Sequence, residues 1–272
     1  MKPLIAVAMS GGVDSLTAAF LLKEHGYPLI AIHFLAGFDT ADTNLIRNMA
    51  GQMGIALHIL DCREEFEQTV VRYFTDTYAR GQTPNPCLIC NPRIKFGTIL
   101  DAAKQLGASF LATGHYARIR RDDTGNYHLH QGADSLKDQS YFLAFLSQEQ
   151  LACACFPLGG MTKSEVKQLA AEKGLIPSVQ KESQDVCFIR QDSYIEFLEN
   201  RGFAAKPGTI VTTEGKVIGR HQGLYRFTIG QRKGINCPAS EPYYVIRIDA
   251  ENNRLIVGFK NEVLSAQCRV SN

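Results

Sequence analysis

The sequence has no apolar run that approaches the roughly 20 residues a membrane-spanning helix needs. Its amino terminus, MKPLIAVAMSGG, has no small-residue cleavage site of the kind that ends a signal peptide. It has no internal repeat and no low-complexity tract. Neither sign of charge is in strong excess, because the formal net charge is only +2 over 272 residues, which is compatible with nucleic acid without identifying it. These absences predict a globular cytoplasmic protein with no membrane partner.

Cysteine is better represented, with eight residues. In a reducing compartment, cysteines in such numbers are more often metal-binding, catalytic or buried than disulfide-bonded. Two of them form a Cys-x-x-Cys directly after a pair of prolines, in TPNPCLICN. Because prolines at this density interrupt regular secondary structure, we predict that Cys87 and Cys90 lie on a rigid loop.

Strand-like and helix-like segments alternate through the first half of the chain. Short β-rich segments lie at 4–9, 29–36, 56–60 and 109–113, and segments with helical spacing lie at 14–25, 41–53, 63–79 and 94–106. This alternation predicts an α/β fold with a parallel sheet and helices on both faces. Such sheets bind ligands at the carboxyl ends of their strands, where SGGVDS, PNPCLIC and TGHYAR all fall.

The pattern changes near Asn200. From there on the segments are short, alternate between apolar and polar residues, and are separated by glycine turns, which is typical of a small β domain. Residues 243–257, with ENN in the middle, have the pattern of a β-hairpin. We therefore predict two domains, an α/β domain at 1–199 and a small β domain at 200–272.

The segment AMSGGVDS joins the first predicted strand to the first predicted helix. Gly11 and Gly12 let the backbone approach a ligand closely, and the helix amino terminus offers N–H groups and a positive dipole end to an anion. Ser10 and Ser15 add hydroxyl donors, and Asp14 is a candidate ligand for Mg²⁺. The lysine of the ordinary NTPase loop is absent. A plain turn with a helix cap is the alternative reading.

The sequence SGGVDS resembles the pyrophosphate loop of enzymes that cleave ATP to AMP and pyrophosphate in order to adenylate a carbonyl oxygen. The motifs TPNPCLICNPRIKFG, ATGHYAR, LKDQSYFL, ESQDVCFI and FTIGQRKGI follow in that order. Together they resemble the tRNA-specific 2-thiouridylases (the MnmA family), and the resemblance covers nearly all of the chain.

This resemblance implies an ATP pyrophosphatase-type (adenine-nucleotide-hydrolase-like) α/β domain with ATP and Mg²⁺ as cofactors. The implied reaction is ATP-dependent replacement of the 2-oxygen of a wobble uridine in tRNA by sulfur. A cysteine desulfurase, a relay protein or sulfide would donate that sulfur.

The resemblance also implies roles for individual residues. Cys90 matches the nucleophile, and Cys187 matches the cysteine that carries persulfide sulfur. The ATP site is implied at Ala8, Met9, Ser10, Gly11, Gly12, Val13, Asp14, Ser15, Phe34 and Gly114. Contacts with tRNA are implied at Asn85, Pro86, Cys87, His115, Lys137, Asp138 and Gln139. The remaining cysteines match no family role, and we expect them to serve packing; they are Cys62, Cys153, Cys155, Cys237 and Cys268.

Two features depart from the family pattern. Cys87 stands where many members have aspartate, so Cys87, Cys90 and Cys187 bring three thiols to one candidate site. Three thiolates are a ligand set for a 4Fe–4S cluster with one open iron, and the sequence leaves the cluster and the persulfide mechanism equally open, with zinc as a further reading. Typical members also continue into a further β-barrel that helps to grip tRNA, whereas this sequence ends at Asn272, which predicts a short form.

Two other functions are compatible with the sequence. An amide-forming ligase could use the same loop, but it would have no need of a Cys-x-x-Cys beside the site. A non-catalytic RNA-binding or metal-binding relic of the family is the second alternative. The sequence does not indicate an oligomeric state.

Overall fold

The computed structural model describes residues 1–38, 42–177, 186–189 and 193–264. The chain divides into two compact units. The first comprises Met1–Val71 and Asn85–Arg190, and the second comprises Arg72–Pro84 and Gln191–Asn272. The second unit therefore includes a short segment from the amino-terminal half of the chain. The domain boundary predicted after residue 199 stays a prediction.

The first unit is built on a parallel sheet, as the sequence predicts. Its strands are β1 (Ile5–Ala8), β2 (Leu29–Leu35), β3 (Ala56–Asp61), β4 (Phe110–Ala112), β5 (Ala117–Arg121), β6 (Tyr127–Gln131) and β7 (Ala154–Cys155). The sheet has the order β3-β2-β1-β4-β7, and each neighbouring pair in it is parallel. The central strand β1 is apolar and buried on both faces, as expected for a sheet with helices on each side. Strands β5 and β6 form a separate antiparallel hairpin.

Helices connect these strands and continue into the second unit. They are α1 (Val13–Glu24), α2 (Thr43–Gln52), α3 (Arg63–Phe66), α4 (Arg72–Ala79), α5 (Pro86–Cys90), α6 (Leu100–Gln105), α7 (Gln148–Cys153), α8 (Lys163–Glu172), α9 (Tyr194–Glu199) and α10 (Lys260–Val263). Two π-helical segments, Glu67–Val71 and Asn91–Ile99, lie between α3 and α4 and between α5 and α6. The predicted helices at 14–25 and 63–79 are confirmed within a residue or two at their ends. The helix predicted at 41–53 is confirmed over Thr43–Gln52, and residue 41 lies outside the described ranges.

Both cysteines of the proline-rich segment lie in a helix, so the loop predicted for Cys87 and Cys90 was wrong. Helix α5 begins at Pro86 and contains both Cys87 and Cys90. Proline is favourable at the first position of a helix, because the N–H it lacks would have no intrahelical partner there. The helix predicted from about residue 94 therefore starts earlier and passes through the π-helical segment Asn91–Ile99. A regular α-helical ladder cannot run through Pro92, since that residue donates no hydrogen bond.

The second unit contains a mixed sheet, with both antiparallel and parallel strand pairs. Its strands are β8 (Gly208–Thr212), β9 (Val217–His221), β10 (Tyr244–Asp249) and β11 (Arg254–Gly258), in the order β10-β11-β8-β9. Strands β10 and β11 form the hairpin predicted at 243–257. Apolar side chains from these strands build the core of the unit, among them Ile210, Val245 and Leu255. The small β domain predicted from the sequence is therefore confirmed in type.

No helix in the part of the chain that the structure describes has both the length and the apolar character needed to cross a membrane.

Candidate active site

The glycine loop lies at the carboxyl end of β1 and begins α1. Gly11 has a φ of 85°, a conformation that glycine adopts without steric cost. Gly12 is the cap residue of α1 and supplies no side-chain hydrogen bond. The Ser15 hydroxyl donates to the Gly12 carbonyl at 3.0 Å and accepts from the Ser10 backbone N–H at 3.2 Å. This turn is therefore fixed by its own serines, and the start of α1 has the arrangement that binds anions.

Gly114, which follows β4, packs directly against this loop. A β-carbon at Gly114 would lie 2.8 Å from the Asp14 β-carbon and 2.9 Å from the Ser15 backbone nitrogen. Real β-carbons do not approach other atoms so closely, so a side chain here would displace the first turn of α1. The sequence predicts Gly114 as part of the nucleotide site, and the structure brings it to the loop for this steric reason.

The Asp14 carboxylate is held by two residues that the sequence analysis missed. Lys163 Nζ donates to both carboxylate oxygens, at 2.7 and 2.8 Å, and the Tyr116 hydroxyl donates to Oδ1 at 2.8 Å. The Lys163 side chain is 11% exposed. A capping box formed by Thr162 and Glu165 starts helix α8 and places Lys163 in its first turn. The capping box can be predicted from the sequence MTKSEV, but nothing in that sequence indicates that Lys163 contacts Asp14.

The Asp14 carboxylate is already paired in this conformation, and its role as a Mg²⁺ ligand stays a prediction. Both of its oxygens already accept hydrogen bonds from the Lys163 ammonium, so the carboxylate charge is compensated. Among the described residues, no group of three or more His, Cys, Asp or Glu side chains is arranged to hold a metal ion.

A cavity of about 720 Å³ lies beside the loop, within the first unit. Its volume is in the range of small-molecule and cofactor sites. It brings together these residues predicted from the sequence: Ala8, Met9, Ser10, Gly12, Val13, Asp14, Ser15, Phe34, Gly114, His115, Lys137, Gln139 and Cys187. The predicted residues Gly11, Asn85, Pro86, Cys87, Cys90 and Asp138 are not part of its lining. Two further lysines, Lys95 and Lys167, line the cavity and were missed.

Cys187 reaches this cavity from a short segment anchored by aromatic rings. The Cys187 side chain is exposed and lines the cavity. The next residue, Phe188, is fully buried, with its ring centroid 5.7 Å from those of Phe38 and Phe66. Edge contacts between aromatic rings are favourable at such distances. The aromatic cluster therefore holds the backbone while the thiol remains accessible.

Cys90 lies in the opposite environment. It is 8% exposed, and burial raises the pKa of its thiol to about 12, against the opposing effect of the Lys95 ammonium. Cys187, Cys87 and Cys62 also raise this pKa, so these thiols lie within electrostatic range of Cys90. A thiol with this pKa is protonated at neutral pH, and reaction as a nucleophile requires the thiolate.

The predicted cluster ligands are not gathered into a metal-binding group in this structure. Cys87, Cys90 and Cys187 all belong to the described ranges, and they are not in a metal-binding group there. Ligation to a metal itself deprotonates a thiol, so the raised pKa of Cys90 does not decide the question, and the cluster stays a prediction.

The other predicted tRNA-contacting residues divide into cavity and turn positions. Lys137 and Gln139 line the cavity, and Gln139 exchanges hydrogen bonds with Tyr116 through its side-chain oxygen and its backbone N–H. Asp138 instead accepts from the Gly132 and Ser140 backbone N–H groups at 2.9 and 3.2 Å, which holds a turn. Contact with tRNA stays a prediction for these residues.

A parallel sheet with a glycine-containing anion loop at its carboxyl edge, and a nucleotide-sized cavity beside that loop, define an α/β nucleotide-binding protein. The tRNA methyl transferase HUP domain matches residues 3–191, and the tRNA methyl transferase PRC-barrel domain matches residues 195–259. The chain belongs to the family of tRNA-specific 2-thiouridylases (MnmA). It is 52% identical over 272 residues to the tRNA-specific 2-thiouridylase MnmA of Desulfosudis oleivorans, covering 99% of this chain and 76% of that protein. It is 48% identical to the MnmA of Geobacter metallireducens, covering 96% of this chain and 76% of that protein.

Solved structures are similar at a lower level. A chain from Methanocaldococcus jannaschii described as a predicted subunit of tRNA methyltransferase is 21% identical, with a TM-score of 0.44 over 74% of this chain and 89% of that one. The NMN synthetase of Francisella tularensis is 15% identical, with a TM-score of 0.43 over 72% of this chain and 71% of that one.

Proposed function

We propose that this protein is an ATP-dependent tRNA uridine 2-sulfurtransferase that forms AMP and pyrophosphate. The observation that carries the proposal is that the anion-binding loop and Cys187 line the same cavity. A nucleotide on the loop would thus lie in the same space as an accessible thiol. The family relationship and the name of the relatives, tRNA-specific 2-thiouridylase, supply the substrate.

The loop would hold the phosphates of ATP while a uridine is activated. The amino terminus of α1 and the lysines around the cavity offer positive charge where pyrophosphate leaves. The uracil O2 attacks the α-phosphorus, so that an O2–P bond forms and the bond from that phosphorus to the pyrophosphate oxygen breaks. The proton on N3 is lost to solvent. Mg²⁺ would accompany the phosphates of ATP, because Asp14 is already paired with Lys163.

Sulfur transfer would then use both cysteines. The terminal sulfur of a Cys187 persulfide attacks C2, and AMP leaves with the original uridine oxygen. The Cys90 sulfur then attacks the inner sulfur of Cys187 while its thiol proton passes to the departing thiouracil, where N3 regains the proton lost earlier. The bond between the two persulfide sulfurs breaks, 2-thiouridine is released, and a Cys90–Cys187 disulfide remains. A cellular dithiol must reduce this disulfide, and a sulfur donor such as a cysteine desulfurase, a relay protein or sulfide must restore the persulfide. The exposed Cys187 suits a residue that receives sulfur from outside.

Binding would place one extruded uridine in the cavity and the rest of the tRNA on the surface. The 2-position of a stacked base is inaccessible, so the nucleotide must leave the stack. Lys137 and Gln139 line the cavity, which fits the predicted tRNA contacts at these residues. The lysine supplies a charge for phosphate contact, and phosphate contacts make affinity fall steeply as salt rises.

The experiment is to incubate the protein with ATP, tRNA, a persulfide donor and a dithiol, and to measure AMP, ADP and 2-thiouridine. We expect tRNA-dependent AMP and 2-thiouridine, and we expect Cys187→Ser to abolish 2-thiouridine. Cys153→Ser is the matched control, because Cys153 is half-buried in α7 and does not line the cavity.

The outcomes separate the alternatives. Formation of ADP, or activity that survives Cys187→Ser, would refute the proposal. Transfer of a nitrogen nucleophile that is insensitive to thiol alkylation would identify an amide-forming ligase, and no turnover of ATP would identify a non-catalytic relic. Iron and sulfide in anaerobically purified protein, lost together with activity in Cys87→Ser, would replace the persulfide mechanism by a cluster.

A further inference from the structure

Lys95 is a cation in the cavity with a neutral partner. It lies in the π-helical segment Asn91–Ile99, is half-buried, and lines the cavity beside the glycine loop. Its ammonium lies 3.3 Å from Nε2 of His115. No carboxylate in the described ranges forms an ion pair with it, in contrast to Lys163, which pairs with Asp14 at 2.7 Å.

The imidazole partner is neutral and fixed in one orientation. His115 Nδ1 lies 2.7 Å from the Thr113 hydroxyl, and burial together with the Lys95 ammonium holds the pKa of His115 well below its usual range. Nε2 therefore accepts from Lys95, while Nδ1–H donates to Thr113. An imidazole of this kind orients the ammonium without cancelling its charge. A partly buried charge without a counter-charge is costly, and it is stabilised when an anion binds beside it.

The backbone under Lys95 is held by a second set of contacts. Gln150 Nε2 donates to the carbonyls of Pro92 and Phe96, at 2.8 and 2.9 Å. These are carbonyls of the π-helical segment, where the regular α-helical pairing is interrupted. Segments of π-helix occur frequently at functional sites. The ammonium is thus positioned before a ligand arrives, which is the condition for effective electrostatic stabilisation.

The position of His115 indicates which anion Lys95 faces. His115 directly follows Gly114, and Gly114 lies so close to the loop that an added β-carbon would be within 2.9 Å of atoms of Asp14 and Ser15. Lys95 therefore approaches the cavity from the side of the loop, and Cys187 lines the same cavity. Pyrophosphate would occupy the loop, so the next phosphate of the nucleotide, the α-phosphate, would lie beside the loop in the cavity that Lys95 lines.

We propose that Lys95 is a further catalytic residue whose ammonium binds the α-phosphate of the nucleotide. This inference rests on the proposed function. As the O2–P bond forms and the bond to pyrophosphate breaks, negative charge on the α-phosphate oxygens is stabilised by Lys95. The same contact stabilises AMP when sulfur displaces it, because AMP departs with an additional negative charge.

The test compares the binding of AMP and of adenosine, without tRNA, by displacement of a fluorescent ATP analogue. Lys95→Met should weaken AMP binding by about ten- to hundredfold, the usual range for a hydrogen bond to a charged group. Adenosine, which has no phosphate, should bind within about twofold of the wild-type value. Lys95→Arg should retain most of the AMP affinity. Lys104→Met is the matched control, because Lys104 is an exposed lysine of α6 outside the cavity.

Equal losses of AMP and adenosine binding in Lys95→Met would mean that the substitution disturbs the cavity, and would overturn the proposal. Unchanged AMP binding with a changed rate of Cys90 alkylation would overturn it too, because the ammonium would then serve the thiol. The proposed function can fail separately: the wild-type protein could bind AMP through Lys95 and still form no 2-thiouridine with tRNA.

Discussion

Gly114→Ala tests whether the glycine loop and the end of β4 form one rigid nucleotide site. The added β-carbon would meet the Asp14 β-carbon at 2.8 Å, and the Asp14 carbonyl carbon and Ser15 nitrogen at 2.9 Å. Carbon atoms in contact normally stay ~3.5 Å or more apart. The obstructing atoms belong to the first turn of α1 or are attached directly to it, so no side-chain rotation can relieve the overlap.

The magnitude follows from this geometry. Inserting a methyl group into a packed site costs about 1–3 kcal/mol, which corresponds to a fall in Tm of roughly 2–12 °C for a domain of this size. The effect on ATP affinity should be larger than a general loss of stability explains, because the displaced turn carries the N–H groups that face the phosphates. Misplacement by a fraction of an ångström should weaken binding about tenfold or more.

The assay is ATP binding by calorimetry together with thermal unfolding. Gly160→Ala is the matched control: no heavy atom lies within 4 Å of its added β-carbon, and we expect both properties to stay unchanged. If Gly114→Ala binds ATP as tightly as the wild type and unfolds at the same temperature, the steric argument is refuted.

Three further changes probe the surroundings of the site. Lys163→Met should lower the free energy of unfolding by about 1–3 kcal/mol, and a double-mutant cycle with Asp14→Asn should give a coupling above ~0.5 kcal/mol; additive effects would contradict the pairing. Gln150→Leu removes the donor to two π-helical carbonyls and should cost about 2–3 kcal/mol in urea unfolding, whereas a loss below ~0.5 kcal/mol would show that water replaces it. The pKa of Cys90 rises from 9.0 to about 12 on folding. The unfolded state therefore releases this proton first, and stability should fall between pH 9 and 12. The slope should be smaller in Cys90→Ala, and an equal slope would exclude Cys90 as the cause.

The alternation of strands and helices was predictable because each element carries its own periodicity. Strand β1 is four consecutive apolar residues, and the turn that follows α1 contains Gly26, which has a φ of 71°. The hairpin of β10 and β11 was readable for the same reason, since its turn residues lie between two alternating segments. Because residues close in sequence determine these elements, short sequence patterns are enough to predict them.

The prediction for the cysteine segment failed because it treated all prolines alike. A proline at the first helical position lacks only an N–H that has no partner anyway, so Pro86 begins α5. Pro92, a few residues later, does interrupt the α-helical ladder, and the chain responds with wider turns rather than a loop. Gln150, far along the sequence, supplies hydrogen bonds to this segment, and no local pattern could reveal it.

The sequence predicted only some residues of the candidate site, because the others are defined by contacts with distant segments. The loop and Gly114 lie in motifs that indicate their role. Lys95 lies in the motif TPNPCLICNPRIKFG and Lys163 in a capping box, but neither pattern indicates what the lysine contacts. Their relevance comes from what they contact: His115 for Lys95, and Asp14 for Lys163. Contacts between distant segments are set by the packing of whole elements, which the sequence alone did not specify.

The ion pair between Asp14 and Lys163 affects when the chain becomes able to bind nucleotide during its synthesis. The two residues are separated by 149 positions. At a synthesis rate of about 5–20 residues per second, the loop leaves the ribosome roughly 7–30 s before its lysine does. Throughout that interval the sheet can begin to form, but the Asp14 carboxylate has no cation from α8. The nascent chain should therefore acquire nucleotide-binding capacity late, in one step, when α8 packs against α1. A ribosome stalled before residue 163 should carry a chain that does not retain ATP.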